Sequence, residues 1–284
     1  MEQLPSDSVN FAPPLSERDY AECFDAFKKI STELKSMKKW LIEDFLPTCS
    51  WQDPLNILSI GSGDGEFDIE LMKLILKRWR IGSYTAVDPN PHHNQKFESR
   101  FHESNLNVSK LEIVPEAFPD MNPGKEFDLI HMTQCLYYIP DRVRAIQSAL
   151  EFLNNNGLIL IFHQTAQGIN EIQRRFLRNV KGDENEMYSC NEIYGVLESL
   201  HVKFEFDTLE GRLDVSDLLT PESDNGIQLL NFFLECRADL LPHDVKQEVI
   251  DFIKNLAFSE NNRQYLFHPV GVFRVSPSCC RYLQ

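Results

Sequence analysis

The sequence predicts an α/β protein with a doubly wound, mostly parallel sheet, and three observations support this fold class. A strand-length hydrophobic run leads directly into a glycine-rich turn and then into a helical pattern. Strand-like and helical segments go on alternating, as in folds with helices on both faces of a parallel sheet. Polar and aromatic residues follow one of the later strands. The strand-like segments lie at about 55–60, 83–88, 110–114, 126–131 and 157–162, and the helical ones at about 64–79, 91–104, 140–154 and 166–180.

The first 50 residues are predicted to form a helical, substrate-binding lead-in. Residues 1–18 contain Pro and Ser and form a loose segment that could order over a ligand. Apolar residues then recur at helical spacing until Ser31-Thr32, which interrupts them and suits the N-cap of a second helix. On one continuous helix, Glu33 would lie about 180° from Phe24. The break allows both side chains to face one pocket.

The turn after the first strand carries glycines on alternate positions, Gly61, Gly63 and Gly65. Glycine permits a sharp bend and the close approach of a ligand, because it has no Cβ. The following helix directs its free amides at whatever lies above the turn. This pattern is typical of a nucleotide-binding turn, although an ordinary tight strand-to-helix turn is an alternative.

An acidic residue at the end of the second strand supports nucleotide binding. Asp88 follows Tyr84-Thr85-Ala86-Val87 at the spacing of a ribose-binding acid, and its carboxylate can accept hydrogen bonds from both ribose hydroxyls. The dinucleotide fingerprint G-x-G-x-x-G is not completed, since Glu66 follows Gly65. The spacing therefore favours S-adenosylmethionine over NAD, and a NAD-dependent oxidoreductase is the weaker alternative.

The strand at 126–131 is followed by Thr133-Gln134-Cys135-Leu136-Tyr137-Tyr138. These polar and aromatic residues lie just beyond the C-terminal end of the strand, where ligands bind in open α/β sheets. They are therefore candidates for a binding site.

The alternation weakens after residue 200, where a strand at 202–206 precedes a mostly helical stretch, 213–258, and a strand at 270–275. The helical stretch is predicted to cap the sheet, and the last strand to return to it antiparallel. The predicted domains are a helical lead-in (1–50), an S-adenosylmethionine-binding α/β domain (51–207), a helical cap insertion (208–262) and the terminal strand (263–284).

Composition limits the partners. The 284-residue chain has a formal charge of −15 and a pI of about 5.0, which repels nucleic acids and anionic membranes but is compatible with small cations. Residues 1–15 lack a leader pattern, and no apolar stretch is long enough to span a bilayer. We expect a cytoplasmic monomer that binds neither nucleic acid nor membrane. The seven cysteines, including Cys279-Cys280, form no regular framework and predict reduced thiols without a metal site.

Three segments together resemble the histamine N-methyltransferase family of class I S-adenosylmethionine-dependent methyltransferases. They are 24–33 with its Ser31-Thr32-Glu33 triplet, 58–66 with the glycine turn, and 131–138. The first and third are the more specific, because they are not general methyltransferase features. A weaker similarity continues through 225–233 and the terminal strand.

The resemblance implies a Rossmann-like class I methyltransferase sheet with a helical substrate cap and S-adenosyl-L-methionine as cofactor. The glycine turn would cradle the methionine portion, Asp88 (a Glu in the family) would hold the ribose, and Thr133 would line the site. His93 and Phe118 would flank the adenine. The implied cofactor-binding residues are Gly61, Ser62, Gly63, Asp88, His93, Phe118 and Thr133.

The resemblance also implies an acceptor site for a small amine. Glu33 and Gln134 match the polar residues that fix the amine and are the implied catalytic residues. The implied aromatic substrate pocket consists of Tyr20, Phe24, Tyr137, Tyr138 and Phe232.

The chemistry of methyl transfer gives these residues a coherent role. Displacement at a sulfonium mainly requires an aligned, desolvated nucleophile, and a neutral imidazole nitrogen already has a free lone pair. Gln134 could select the imidazole tautomer, while Glu33 pairs with an ammonium group or the far ring nitrogen. Aromatic walls attract cations and exclude water. We therefore predict an N-methyltransferase acting on histamine or a close relative.

Each of these residues also has a structural interpretation. Glu33 suits the first turn of a helix, Gln134 could bond a strand-end carbonyl, and Tyr137-Tyr138 could belong to the core. His131 and His163 lie on buried strands and are typical of core histidines.

The chain departs from the family on the substrate side. His268-Pro269 aligns where the family has an asparagine that contacts substrate, and the segment 168–173 lacks the family's tryptophan. Two alternatives follow from these departures: a methyltransferase for another small-molecule acceptor, and a catalytically inactive methyltransferase-like binding protein.

Overall fold

The computed structural model describes residues 12–119, 124–182 and 188–276. The described helices are α1 (Glu17–Ile30), α2 (Glu33–Trp40), α3 (Glu66–Ile75), α4 (Pro91–Ser104), α5 (Arg142–Glu151), α6 (Ile169–Lys181), α7 (Cys190–Ser199), α8 (Asp224–Leu234) and α9 (His243–Leu256). The described strands are β1 (Leu55–Ile60), β2 (Ile81–Val87), β3 (Leu111–Val114), β4 (Phe127–Thr133), β5 (Leu153–Gln164), β6 (Lys203–Leu209), β7 (Arg212–Asp214), β8 (Phe258–Glu260), β9 (Arg263–Phe267) and β10 (Val270–Ser276). The start of the predicted lead-in and Cys279-Cys280 lie outside the described residues.

The chain divides into two compact units. Of the described residues, the larger unit contains 34–119, 124–164, 188–209 and 270–276, and the smaller contains 12–33, 165–182 and 210–269.

The larger unit is built on a seven-stranded sheet of order β3-β2-β1-β4-β5-β10-β6. The neighbouring pairs from β3 to β5 are parallel, and β10 runs antiparallel to both β5 and β6. The chain leaves β1 on one side for β2 and β3 and returns on the other side for β4 and β5. The predicted doubly wound sheet with an antiparallel C-terminal strand is confirmed, and its switch point, where such sheets bind ligands, lies between β1 and β4.

Strand β1 is an almost continuous hydrophobic run, as expected for a central parallel strand with helices over both faces of the sheet. Ile57, Leu58 and Ile60 of β1 are all buried, although neighbouring side chains point to opposite faces. Several of the described helices begin at a side-chain cap. Asn90, for example, caps α4 by accepting hydrogen bonds from the backbone amides of His92 and His93.

The predicted break in the N-terminal helical region is confirmed. Helix α1 ends at Ile30, α2 begins at Glu33, and the hydroxyl of Ser31 accepts the backbone N–H of Glu33 at 3.1 Å. A π-helical turn, Leu41–Phe45, and a short 3₁₀ turn, Leu46–Thr48, continue α2.

The smaller unit combines α1, α6, α8 and α9 with a three-stranded antiparallel sheet of order β7-β9-β8. Its core includes Phe27, Phe176, Phe233 and Val249. The prediction that 213–258 is mostly helical holds for α8 and α9, but it missed the small sheet.

Two further features concern the described residues as a whole. None of their helices is long and apolar enough to cross a bilayer. Their five cysteines are buried and form no disulfide.

Candidate donor and acceptor sites

The glycine turn between β1 and α3 is held in the left-handed region. Gly61, Gly63 and Gly65 have φ values of 66°, 55° and 74°. A Cβ on Gly61 would lie 2.3 Å from the Cβ of Cys135, and one on Gly65 would lie 2.5 Å from the ring of Phe97. A Cβ on Gly63 would meet nothing within 4 Å. Packing therefore requires glycine at the first and last positions, whereas Gly63 faces open space that a ligand can use.

Asp88 lies over this turn and is tied to it. Its Oδ2 accepts the backbone N–H of Gly63 at 3.0 Å, and its Oδ1 accepts that of Asn90 at 2.9 Å. The Nδ1 atom of His93 lies 3.5 Å from Oδ1. The structure thus brings Gly63, Asp88 and His93 together, and the backbone holds the carboxylate in one orientation.

Ser62 supplies an unused polar group in the same turn. Its side chain is buried, and its hydroxyl makes no hydrogen bond to any of the described residues. Leaving a buried hydroxyl unsatisfied costs about 1–3 kcal/mol, so such a group usually has a partner. The turn therefore fits a ligand that brings a polar group to Ser62 and hydroxyls to Asp88.

The end of β4 is anchored by a buried chain of polar side chains. The hydroxyl of Thr133 lies 3.3 Å from Nδ1 of His131, and Nε2 of that histidine lies 2.8 Å from the hydroxyl of Tyr84. Tyr84 donates in turn to Asp68 at 2.8 Å. Burial lowers the pKa of His131 to about 3 and raises that of Asp68 to about 7. His131 is thus a core histidine, as the structural interpretation predicted, and it orients Thr133.

Phe118, predicted to flank the adenine, is buried in the core of the larger unit. Its ring lies 6.1 Å from that of Phe152 in an edge-on arrangement. Its role toward a cofactor stays a prediction.

Gln134 is fixed by the neighbouring strand. Its φ of 50° is unusual for a residue with a side chain. Its backbone N–H donates to the carbonyl of Phe162, and its side-chain oxygen accepts the backbone N–H of Gln164 at 2.9 Å. Because a backbone N–H can donate only to the amide oxygen, the bond from Gln164 fixes the orientation of the Gln134 side-chain amide. The sequence gave no signal of this contact.

Tyr137 and Tyr138 lie on a 3₁₀ turn, Leu136–Tyr138, just beyond β4. Arg142 holds this turn by donating to the carbonyls of Leu136 and Tyr137. The two tyrosine rings meet edge to face at 4.4 Å, and Tyr138 is 55% exposed. Tyr138 is therefore not a core residue. The sequence analysis did not identify Arg142 as the residue that holds this turn.

His163 is fully buried on β5 and fits the predicted core histidine. Its Nε2 lies 3.2 Å from the carbonyl of Tyr188, and burial lowers its pKa from 6.5 to about 3. The unfolded chain takes up a proton at this residue below pH 6.5, whereas the folded chain does so only near pH 3. Its contribution to stability is therefore complete above pH 6.5 and is lost as the pH falls.

We expect this histidine to make the protein sensitive to acid. Between pH 7 and pH 5, His163 should lower the free energy of unfolding by about 2 kcal/mol. Urea unfolding at both pH values tests this with His163→Gln and with His243→Gln, a control at an exposed position. Between pH 7 and pH 5, the free energy of unfolding of His163→Gln should fall by about 2 kcal/mol less than that of the wild type or the control. Equal losses in all three proteins would contradict the assignment.

In the smaller unit, α1 and α8 bring aromatic rings together. The rings of Tyr20 and Phe24 lie 6.2 Å apart, and that of Phe232 lies 5.8 Å from each. Phe27 stacks on Phe232 at 4.6 Å. We call these four residues the aromatic cluster. It contains the predicted Tyr20, Phe24 and Phe232, and it adds Phe27, which lies three residues after Phe24 on the same helix face.

Glu33 is linked to the aromatic cluster through His268. The Oε1 atom of the buried Glu33 lies 3.3 Å from Nε2 of His268. The His268 ring meets that of Phe27 edge-on at 6.3 Å. Glu33 does occupy a first helical turn, but its carboxylate has this specific partner. The sequence showed His268 only as a departure from the family and gave no sign of its contact with Glu33.

The predicted catalytic and substrate residues thus fall into two groups. Gln134, Tyr137 and Tyr138 belong to the larger unit, and Glu33 belongs with the aromatic cluster to the smaller unit. Their roles toward a substrate stay predictions.

Comparison with known proteins agrees with the predicted fold and resemblance. A methyltransferase-domain family model matches residues 16–193. Histamine N-methyltransferase of Danio rerio is 24% identical over 254 residues, which cover 83% of this chain and 87% of the relative. Carnosine N-methyltransferase 2 of Gallus gallus is 23% identical over 239 residues, which cover 77% and 73%. The structure of the YcgJ protein of Bacillus subtilis matches with a TM-score of 0.56 at 14% identity, covering 86% of this chain and 97% of that one.

Proposed function

The chain belongs to the methyltransferase-domain family, and from this premise we propose that it methylates a nitrogen of a small amine, histamine or a close relative. Its sheet is the Rossmann-like sheet of class I methyltransferases. S-adenosyl-L-methionine is its methyl donor and, when bound, supplies an electrophilic methyl group on a sulfonium.

The larger unit supplies the proposed donor site. Ser62 and the open backbone at Gly63 would hold the methionine portion, and Asp88 would hold the ribose. These roles are supported by the unused hydroxyl of Ser62 and by the orientation of Asp88, which the turn itself holds.

The observation that carries the amine part of the proposal is the buried carboxylate of Glu33, which His268 links to the aromatic cluster. A carboxylate with little access to water attracts a cation strongly, and aromatic faces attract it further. A small ammonium-bearing acceptor satisfies both groups.

Gln134 would act on the acceptor ring. A neutral imidazole needs no base before it attacks, because one ring nitrogen already has a lone pair. We assign to Gln134 a hydrogen bond that selects the tautomer, and to Tyr137 and Tyr138 the exclusion of water. The fixed amide orientation of Gln134 supports this role.

The test is a transfer assay with methyl-labelled S-adenosylmethionine and three acceptors: histamine, carnosine and an aliphatic amine without an imidazole. We expect label on an imidazole nitrogen of histamine, located by NMR of the product, and no transfer by Asp88→Ala, which lacks the proposed ribose ligand. Label on carnosine alone would move the acceptor to a larger imidazole. Donor binding without transfer to any acceptor would favour the inactive binding protein and overturn the proposal.

A further inference from the structure

Both ring nitrogens of His268 have partners in the smaller unit. Nδ1 accepts the backbone N–H of Ile169 at 3.4 Å, and Nε2 lies 3.3 Å from Oε1 of Glu33. His268 is 2% exposed and Glu33 is 7% exposed. The contact between them is therefore almost entirely removed from water.

The orientation of the His268 ring is fixed by its surroundings. Its backbone N–H donates to the carbonyl of Gly211 at 2.8 Å. A Cβ on Gly168 would lie 2.6 Å from Nδ1, so this glycine allows the backbone to pass directly beside the ring. The ring of Phe27 lies against it edge-on. The imidazole consequently has little room to turn away from Glu33.

These contacts determine where the proton of His268 lies. A backbone N–H that donates to Nδ1 requires a lone pair on that atom, so a neutral ring carries its proton on Nε2, facing Glu33. In an imidazolium, Nδ1 also carries a proton, and this N–H would then point at the backbone N–H of Ile169. The geometry favours a neutral His268 beside a charged Glu33, and the pair then keeps one negative charge.

We propose that His268 is a positioning residue, which holds the carboxylate of Glu33 in one orientation and leaves its negative charge for the ammonium group of a cationic acceptor. This inference rests on the proposed function. The hydroxyl of Ser31 donates to Oε2 of Glu33 at 3.4 Å, and Nε2 of His268 lies 3.3 Å from Oε1. A carboxylate contacted at both oxygens is oriented before the acceptor arrives, and His268 supplies the contact at Oε1.

The proton position can be measured without any acceptor. Long-range ¹H–¹⁵N NMR of the wild-type protein at pH 7 distinguishes the two neutral tautomers and the imidazolium, and His268→Gln assigns the signals. We expect the neutral Nε2–H form. An imidazolium or the Nδ1–H form would overturn the proposal.

The positioning role is tested by kinetics with two variants. His268→Gln keeps a side-chain N–H that can reach Glu33, and His268→Leu removes it. We expect KM for the amine to stay within about threefold of wild type in the first and to rise about tenfold or more in the second, with the dissociation constant of the donor unchanged. Equal KM values in the two variants, or equal weakening of donor and amine, would overturn the proposal.

The retained charge is tested on the wild-type protein by comparing an amine acceptor with its neutral N-acetyl derivative. We expect KM for the neutral compound to be about tenfold higher or more, and equal values would contradict a charged pair. A wild-type protein that transfers methyl groups to no amine at all would contradict the proposed function. The NMR measurement of the His268 proton does not depend on that result, because it uses no acceptor.

Discussion

Gly61→Ala should destabilise the protein by about 3 kcal/mol or more, whereas Gly63→Ala should cost only about 1 kcal/mol and yet abolish donor binding. Both positions have a positive φ, so both variants carry backbone strain. Only the Cβ at position 61 also strikes another residue, at 2.3 Å from the Cβ of Cys135. The Cβ at position 63 enters the open space that we assign to the donor.

Urea unfolding and calorimetry with S-adenosylmethionine and its demethylated product measure the two effects separately. Each variant serves as the control for the other, because they make the same change two residues apart in one turn. If Gly63→Ala binds the donor as tightly as wild type, the donor does not lie against this backbone. If Gly61→Ala is as stable as Gly63→Ala, the packing of Cys135 does not determine the turn.

Glu33→Gln should raise KM for the amine about 30- to 100-fold, which corresponds to the loss of about 2–3 kcal/mol from a buried charged hydrogen bond. The substitution keeps the shape of the side chain and an oxygen that can face His268, but it removes the negative charge. Donor binding should stay unchanged. Steady-state kinetics and donor calorimetry measure the two quantities.

The control is Glu22→Gln, which makes the same chemical change at an exposed position of α1. It should leave KM at the wild-type value. If Glu33→Gln weakened the donor and the amine equally, Glu33 would have a structural role and no role in acceptor binding.

Local sequence patterns predicted the larger unit well. Its strands are short hydrophobic runs between turn signals, and Gly61, Gly63 and Gly65 have the backbone conformation that their spacing predicted. The bounds were less accurate. The predicted helix 140–154 overlapped the start of β5, which begins at Leu153 opposite Phe127 of β4. Asn154 and Asn155, which follow, do not resemble strand residues.

The small sheet was missed although the sequence held a signal for it. Asn261 and Asn262 have φ values of 50° and 60°, and they join β8 to β9 as a two-residue hairpin loop. Asparagine tolerates this conformation better than most residues, and such pairs are typical of tight hairpins. The short strands on either side alternate too briefly for periodicity alone to reveal them.

The contact between Glu33 and His268 was not predictable from the sequence. The two residues are far apart along the chain, and neither belongs to a motif that names the other. Their pairing depends on two glycines: Gly168 leaves room for the imidazole ring, and Gly211 allows a close approach of the His268 backbone carbonyl. The sequence could thus identify Glu33 as a candidate, but it could not identify the group that orients it.

The position of β10 between β5 and β6 has a consequence for synthesis on the ribosome. Among the described strands, β6 pairs only with β10, and the segment 210–269 must be translated between the two. The nascent chain therefore holds β6 with unsatisfied backbone groups until the last described strand has left the exit tunnel. Chaperone binding should concentrate in that interval, because an uncovered strand edge is a template for aggregation.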